Sequence, residues 1–247
     1  MNMPQYRLLA LDLDGTVLTD DKRISDDTKL WVRKAVEAGV IVVLATGRGR
    51  PDGLCFAQEL YLESPMVFLN GAEVWAGPGH LLDRHFMDGD DVRRLHELTV
   101  ETGCCFWGYT TEIFAHNDWT DEMLDHDWIK YGMYCDDSDL MARLRDYVGS
   151  WGTVEVTWTS AANMEITAAG ITKEKGVRRV CDHLGIGMDT VMAVGDSFND
   201  SGLIEAAGFG VAMANAAGAL KNVADAVTES NEDDGVAQAI QRYIFGM

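Results

Sequence analysis

The sequence predicts an α/β protein: a doubly wound, parallel-sheet core of the Rossmann-like kind, interrupted by an inserted α+β domain. Near each end of the chain an apolar run without alternation gives way to an acidic loop and then a helix, the pattern of strands buried on both faces of a parallel sheet. In the middle, one segment alternates strictly, as a strand covered on one face only does. The 247 residues suffice for one or two domains with full cores but not for three.

The first strand is expected from Tyr6 to Leu13, ending in the loop residues Asp14-Gly15-Thr16. Ser25 followed by Asp26 and Asp27 has the form of a helix N-cap with acids in the first turn, and Trp31, Ala35 and Ala38 recur at helical spacing until Gly39. A second strand, Val40 to Ala45, completes a βαβ unit. The last third repeats the rhythm. Val191 to Val194 reads as a strand, GDSFND as a loop, then a short helix ends at Gly208, FGVAM forms a strand, and a helix runs through Leu220 and Val223. Ala226 to Thr228 is expected as a last short strand and Gly235 to Ile244 as a terminal helix capped by Asp233 or Asp234.

Between these halves, Asp90 to Thr102 carries Val92, Leu95 and Leu98 on one side, CCFWGYTTEIF reads as strand, and Leu140, Leu144, Tyr147 and Val148 mark a helix face. Val154, Val156 and Trp158 then alternate with Thr153, Glu155 and Thr157. The insert is placed at residues 84–169, leaving 1–83 and 170–247 for the core. It holds 17 acidic and 6 basic residues, net −11, and five of the seven tryptophans. Trp158 is assigned to its core, and Trp119 or Trp128 to the entrance of a ligand cleft.

Composition narrows the function. With 47% apolar and 24% charged residues the chain is neither disordered nor fibrous. Its net charge of −20 repels nucleic-acid phosphates and anionic lipid headgroups, so neither nucleic acid nor membrane is an expected partner, and a phosphorylated ligand must be held by local cations. Cys55, Cys104, Cys105, Cys135 and Cys181 form no C-x-x-C pair, which argues against a zinc ribbon or disulfide framework. The opening MNMPQYRLLALDLDG lacks the apolar region of a signal peptide, and no stretch has the length of a membrane span. A reduced, cytoplasmic protein is expected.

The chemistry concentrates where strands end, the place at which open α/β sheets bind ligands. Asp12 and Asp14 follow the first strand, and two like charges so close need a cation or a shared proton. Mg²⁺ is the natural partner, because it takes oxygen ligands and sits between carboxylates and phosphate; the plainer alternative is that one aspartate caps the loop and the other is solvated. Asp196 and Asp200 follow the strand at Val191, where a doubly wound sheet can bring them opposite Asp12, although Asp200 would also serve as a helix cap. Thr46 and Gly47 end the second strand, with a hydroxyl and backbone amides suited to phosphate oxygens. Lys173 lies near a helix start, where anions are favoured, though a lone lysine is ordinarily a solvated surface charge.

Taken together, DLDGTVL at Asp12, LATGR at Thr46, LNGA at Asn70, GITKEKG at Lys173 and GDSFNDSGLIEAAGFGVAMANA from Gly195 resemble the haloacid dehalogenase superfamily of phosphohydrolases. Order and spacing resemble its Cof-type members, subclass IIB, from about residue 6 to 244, with the insert in the position of their second, C2B-type cap. The resemblance implies that Asp12 is the nucleophile forming an aspartyl-phosphate, and that Asp14 is the general acid and then the base. It implies a Mg²⁺ held by the Asp12 carboxylate, the Asp14 backbone carbonyl and Asp196, with Asp200 acting directly or through water. Thr46, the Gly47 amide and Lys173 would hold the non-bridging oxygens and Asn199 would support the site. The residue after the motif lysine is Glu174 where relatives usually carry Gly, which leaves Lys175 as a rival to the preferred Lys173.

The expected activity is hydrolysis of small phosphorylated metabolites such as sugar phosphates, by a monomer or homodimer, with the insert closing over the crevice. A phosphomutase of the same superfamily and a non-catalytic phosphometabolite-binding protein are the alternatives. Within the insert, His116, His126, Asp118, Asp121, Asp125 and Asp127 crowd together, but their spacing fits no known metal loop and reads as a solvated acidic face.

Overall fold

The structure is a computed structural model and describes residues 5–247; residues 1–4, which open the segment read as lacking a signal peptide, lie outside the described residues. The chain divides into two compact units, Met1–Leu82 with Lys173–Met247, and Asp83–Thr172.

In the first unit β1 (Leu8–Leu11) is four apolar residues, all buried. α1 (Asp26–Glu37) is capped by Ser25, whose hydroxyl accepts the Thr28 N–H at 3.1 Å, and it buries Trp31, Val32 and Ala35. Gly39, with φ 89°, ends it ahead of β2 (Ile41–Leu44). α2 (Arg50–Glu59), β3 (Met66–Phe68), β4 (Glu73–Gly77) and β5 (His80–Arg84) follow, the three strands forming a small sheet of their own in the order β3-β4-β5. These four elements had no counterpart in the expected pattern. α2 opens with Pro51 near its N-terminus, contains Gly53 and buries only Gly53 and Ala57, so it shows no apolar stripe to read.

The second unit contains α3 (Gly89–Thr102), β6 (Cys105–Thr110), β7 (Phe114–His116), β8 (Trp128–Tyr134), α4 (Ser138–Gly149), β9 (Val154–Thr157) and β10 (Asn163–Ala168). Asp88 and Asp137 cap the two helices by accepting backbone N–H groups. The strands form an antiparallel sheet in the order β7-β6-β8-β10-β9. Alternate residues of the strands, among them Phe106, Tyr131, Met133, Met164 and Ile166, pack with Val92 and Leu95 of α3 and Met141, Leu144 and Val148 of α4. Two expectations are corrected here. Trp158 lies beyond β9 and beneath the Arg145 guanidinium, 4.8 Å from its ring centroid, and is not part of the buried core. Trp128 is buried in that core and so serves packing and not a cleft entrance, while the partly buried Trp119 stacks on His96 at 3.7 Å against it.

The chain returns through α5 (Lys173–Leu184), β11 (Val191–Gly195), α6 (Ser201–Ala206), β12 (Phe209–Ala212), α7 (Gly218–Val223), β13 (Ala226–Val227) and α8 (Gly235–Ala239). The terminal helix is shorter than expected: after Ala239 it widens into a π-helical turn, Ile240–Ile244. Asp234 stands at its N-cap position with φ 56° but makes no capping bond; its carboxylate accepts the Ser25 hydroxyl instead. The core sheet is parallel, in the order β13-β12-β11-β1-β2. Register sets Leu11 beside both Leu44 and Val194, so the loops leaving β1, β2 and β11 emerge along one edge. Among the described residues no helix is long and apolar enough to cross a membrane.

Candidate active site

Asp12 directly follows β1 and is fixed by its N–H, which donates to Val194 O on β11 at 3.1 Å. Gly15, at φ 76°, turns the next loop back so closely that a Cβ there would stand 2.5 Å from Asp196 Oδ2. Only glycine fits both the backbone angle and the space. Thr16 then donates its hydroxyl to Asp196 Oδ1 at 3.0 Å, while Ser197 donates to Oδ2 at 2.9 Å.

Asp200 has two tasks at once. Its Oδ2 accepts the N–H groups of Asp196 and Ser197, each at 3.1 Å, closing the turn after β11. Its Oδ1 accepts from Lys173 Nζ at 2.7 Å. Capping and site-building are therefore not alternatives for this residue. Lys173, at the first turn of α5, is fully buried and also donates to Asp12 Oδ1 at 2.6 Å. Lys175, two residues on, is exposed, whereas Lys173 faces the acids and is not a solvated surface charge.

Oxygens of Asp12, Asp196 and Asp200 all lie within 4.8 Å of one another, and among the described residues no other group of three acidic, histidine or cysteine side chains comes so close. The crowded histidines and acids of the insert thus form no such cluster; His126 pairs with Glu112 at 2.9 Å instead. Burial, together with Asp200 and Asp196, pushes the Asp12 carboxyl well above its ordinary range, with Lys173 pulling the other way. Burial and Asp200 raise Asp196 likewise. Burial opposes the charge on Lys173, but Asp12 and Asp200 outweigh it and hold the ammonium firmly protonated. Three carboxylates against one ammonium leave an excess of negative charge. An all-oxygen donor set with that excess fits a hard divalent cation such as Mg²⁺.

The Asp14 carboxylate stands outside the three-acid cluster. Arg48 grips it with two bonds, Nε to Oδ2 at 2.6 Å and Nη2 to Oδ1 at 2.7 Å, and Lys22 Nζ reaches Oδ1 at 2.8 Å. Burial works against ionisation here, yet the bonds and charges of Arg48 and Lys22 outweigh it, and the carboxyl is lowered to about 2. Thr46 is buried beyond β2, its hydroxyl accepting the Arg48 N–H at 3.1 Å, and Gly47 joins the two. Asn199 is buried and donates through Nδ2 to Asn70 Oδ1 at 3.1 Å; its own Oδ1 has no partner. Asn70 and its neighbour Leu69 both have left-handed backbones, φ 56° and 51°, a strained pair that presents Asn70 to Asn199. Lys22, Arg48, Thr16 and Asn70 were not assigned roles from the sequence. Arg48 and Asn70 fell inside quoted motifs, which is the signal that could have found them, whereas nothing local marks Lys22.

Haloacid dehalogenase-like hydrolases as a family match this chain over residues 9–132 and 116–240. It belongs to that family and is a phosphatase of it, as the fold and the acidic site at the strand ends imply. It is 35% identical over 239 residues to the 5-amino-6-(5-phospho-D-ribitylamino)uracil phosphatase YcsE of Bacillus subtilis, covering 97% of this chain and 96% of that one. It is 31% identical to YitU of the same organism, named as a phosphatase of the same compound, over 96% and 97% of the two chains. Among solved structures, the subclass IIB sugar phosphatase BT4131 superposes with a TM-score of 0.85 at 23% identity, over 97% of this chain and 99% of that one, a likeness of fold.

Proposed function

We propose that this enzyme is a Mg²⁺-dependent phosphatase of small phosphorylated metabolites, working through an aspartyl-phosphate on Asp12. The observation that carries the reading is the buried contact of Lys173 with both Asp12 and Asp200 beside Asp196. Residues 161 and 27 positions away from Lys173 are brought onto one ammonium, an arrangement with no use in packing alone.

Asp12 and Asp196 carboxylates and the Asp14 carbonyl would hold the ion, with Asp200 joining directly or through water. When bound, Mg²⁺ supplies positive charge against the phosphoryl oxygens. An Asp12 oxygen attacks phosphorus, the bond to the leaving oxygen breaks, and Asp14 gives that oxygen a proton. Water then attacks the aspartyl-phosphate as Asp14 takes its proton, releasing phosphate and restoring Asp12. Lys173, the Thr46 hydroxyl and the Gly47 amide hold the non-bridging oxygens, and Asn199 braces the loop. In the arrangement described, Asp14 is a carboxylate at neutral pH, matching its task as base; to act as acid it must first take up a proton, which loosening its bonds to Arg48 and Lys22 would favour.

The relatives narrow the candidates. Two of them act on a ribityl phosphate ester, so that compound heads the panel, followed by sugar phosphates and pyridoxal phosphate, the substrate in the name of a 27% identical Escherichia coli relative. Purified enzyme is tested for phosphate release across the panel with Mg²⁺ and with chelator. Release that requires Mg²⁺ and falls by about 10⁴-fold or more in Asp12→Asn supports the reading; release unaffected by Asp12→Asn removes it.

A further inference from the structure

The insert gathers three cysteines at one end of its sheet, and two of them face each other. Cys105 pairs with Tyr134 and Phe106 with Met133 across β6 and β8. The same register carried one step further sets Cys104 opposite Cys135. The Cys135 N–H turns away from β6 and donates to Ala162 O at 3.0 Å, just as the Phe106 N–H turns away from β8 and donates to the Asn117 side chain at 2.7 Å. Phe106/Met133 and Cys104/Cys135 are therefore the narrow positions of the ladder, without hydrogen bonds between their backbones. There Cα atoms lie about 4.5 Å apart and side chains approach most closely, inside the roughly 4.4–6.8 Å that a disulfide spans.

The surroundings agree. Both sulfurs are half-buried against the end of the insert core. Cys104 Sγ accepts the Thr102 hydroxyl at 3.2 Å, Cys135 Sγ accepts the Asp137 N–H at 3.4 Å, and the two free thiols are near enough to influence each other. Cys105, one residue along the strand, is exposed and projects from the opposite face.

We propose that Cys104 and Cys135 are a redox-active pair which a hydroperoxide converts into a disulfide joining β6 to β8. Cys135, its sulfur held by the Asp137 N–H, gives up its proton to solvent and attacks the distal peroxide oxygen as thiolate; the O–O bond breaks and the leaving oxygen is protonated to water or alcohol. The Cys104 sulfur then attacks the Cys135 sulfenic sulfur, the S–O bond breaks, and the hydroxide leaves as water with the Cys104 proton. Two thiols are oxidised and one peroxide is reduced. Burial, the larger effect, keeps the Cys104 thiol protonated until that second step.

The test treats the full-length enzyme with hydrogen peroxide, denatures it, alkylates the remaining thiols and maps the peptides by mass spectrometry. The expected result is a loss of two hydrogen atoms, three of the five cysteines alkylated, a Cys104–Cys135 linked peptide, and full reversal by dithiothreitol. Cys105→Ser should leave the link intact and Cys135→Ser should abolish it. Five alkylated thiols, oxygen addition without a link, a link through Cys55, Cys105 or Cys181, or a link between two copies would each overturn the proposal.

Discussion

Lys173 is the residue on which the charge balance of the site turns. Removing its ammonium leaves Asp12 and Asp200 facing each other in a buried setting, where an uncompensated charge costs several kcal/mol. Lys173→Ala should therefore lose about 3–5 kcal/mol of stability in chelator, measured by urea unfolding, and recover part of it when Mg²⁺ is added. Equal losses with and without the ion would show that the carboxylates do not bind it. Arg48 governs the charge on Asp14, the second acid of the proposed chemistry. Because it helps hold Asp14 near 2, the carboxylate is present at every pH above that value and is lost only as pH falls through it. Arg48→Ala should raise the Asp14 value, moving the acidic limb of the pH–rate profile for kcat to higher pH; a limb that stays in place would separate Asp14 from that limb. Both residues show what a sequence can and cannot display. The DxDGT and GDSFND loops are legible because chemistry and strand end coincide locally. The LATGR and LNGA motifs contain Arg48 and Asn70 but do not show that they meet Asp14 and Asn199, and nothing local marks Lys22; these contacts arise across the fold.

At the scale of elements, the loop after β1 is governed by one glycine. Gly15→Ala must relieve both a left-handed backbone and a contact with Asp196, so we expect a cost of about 1–3 kcal/mol. It should also weaken Mg²⁺ binding in calorimetry, since Asp196 would have to move. A variant with unchanged affinity would place the ion elsewhere. Elements with clear periodicity, such as α1, α3 and β11, were legible because one face or all faces are buried. α2 was not, having little buried surface, and β3 to β5 are too short and too mixed for a period to emerge. Trp119 and Trp128 illustrate a different limit. Aromatic residues at a given spacing look alike whether they fill a core or line an opening; only the burial of Trp128 and its stacking with Trp119 place it in the core.

At the scale of the whole molecule, a net charge of −20 means that surface repulsion works against the compact state. Raising NaCl through about 0.1 M, where the screening length is about 10 Å, should raise Tm in the absence of Mg²⁺. A flat or falling Tm would mean that local ion pairs dominate the balance. The pairing of β1 with β11 has a separate consequence for biosynthesis. Leu8 meets Val191 in the sheet, so a nascent chain emerging from the ribosome holds Asp12, the proposed nucleophile, without the partner strand that anchors it until β11 has been made. Capacity to be phosphorylated should arise abruptly, only after the segment bearing Asp196 and Asp200 has cleared the exit tunnel.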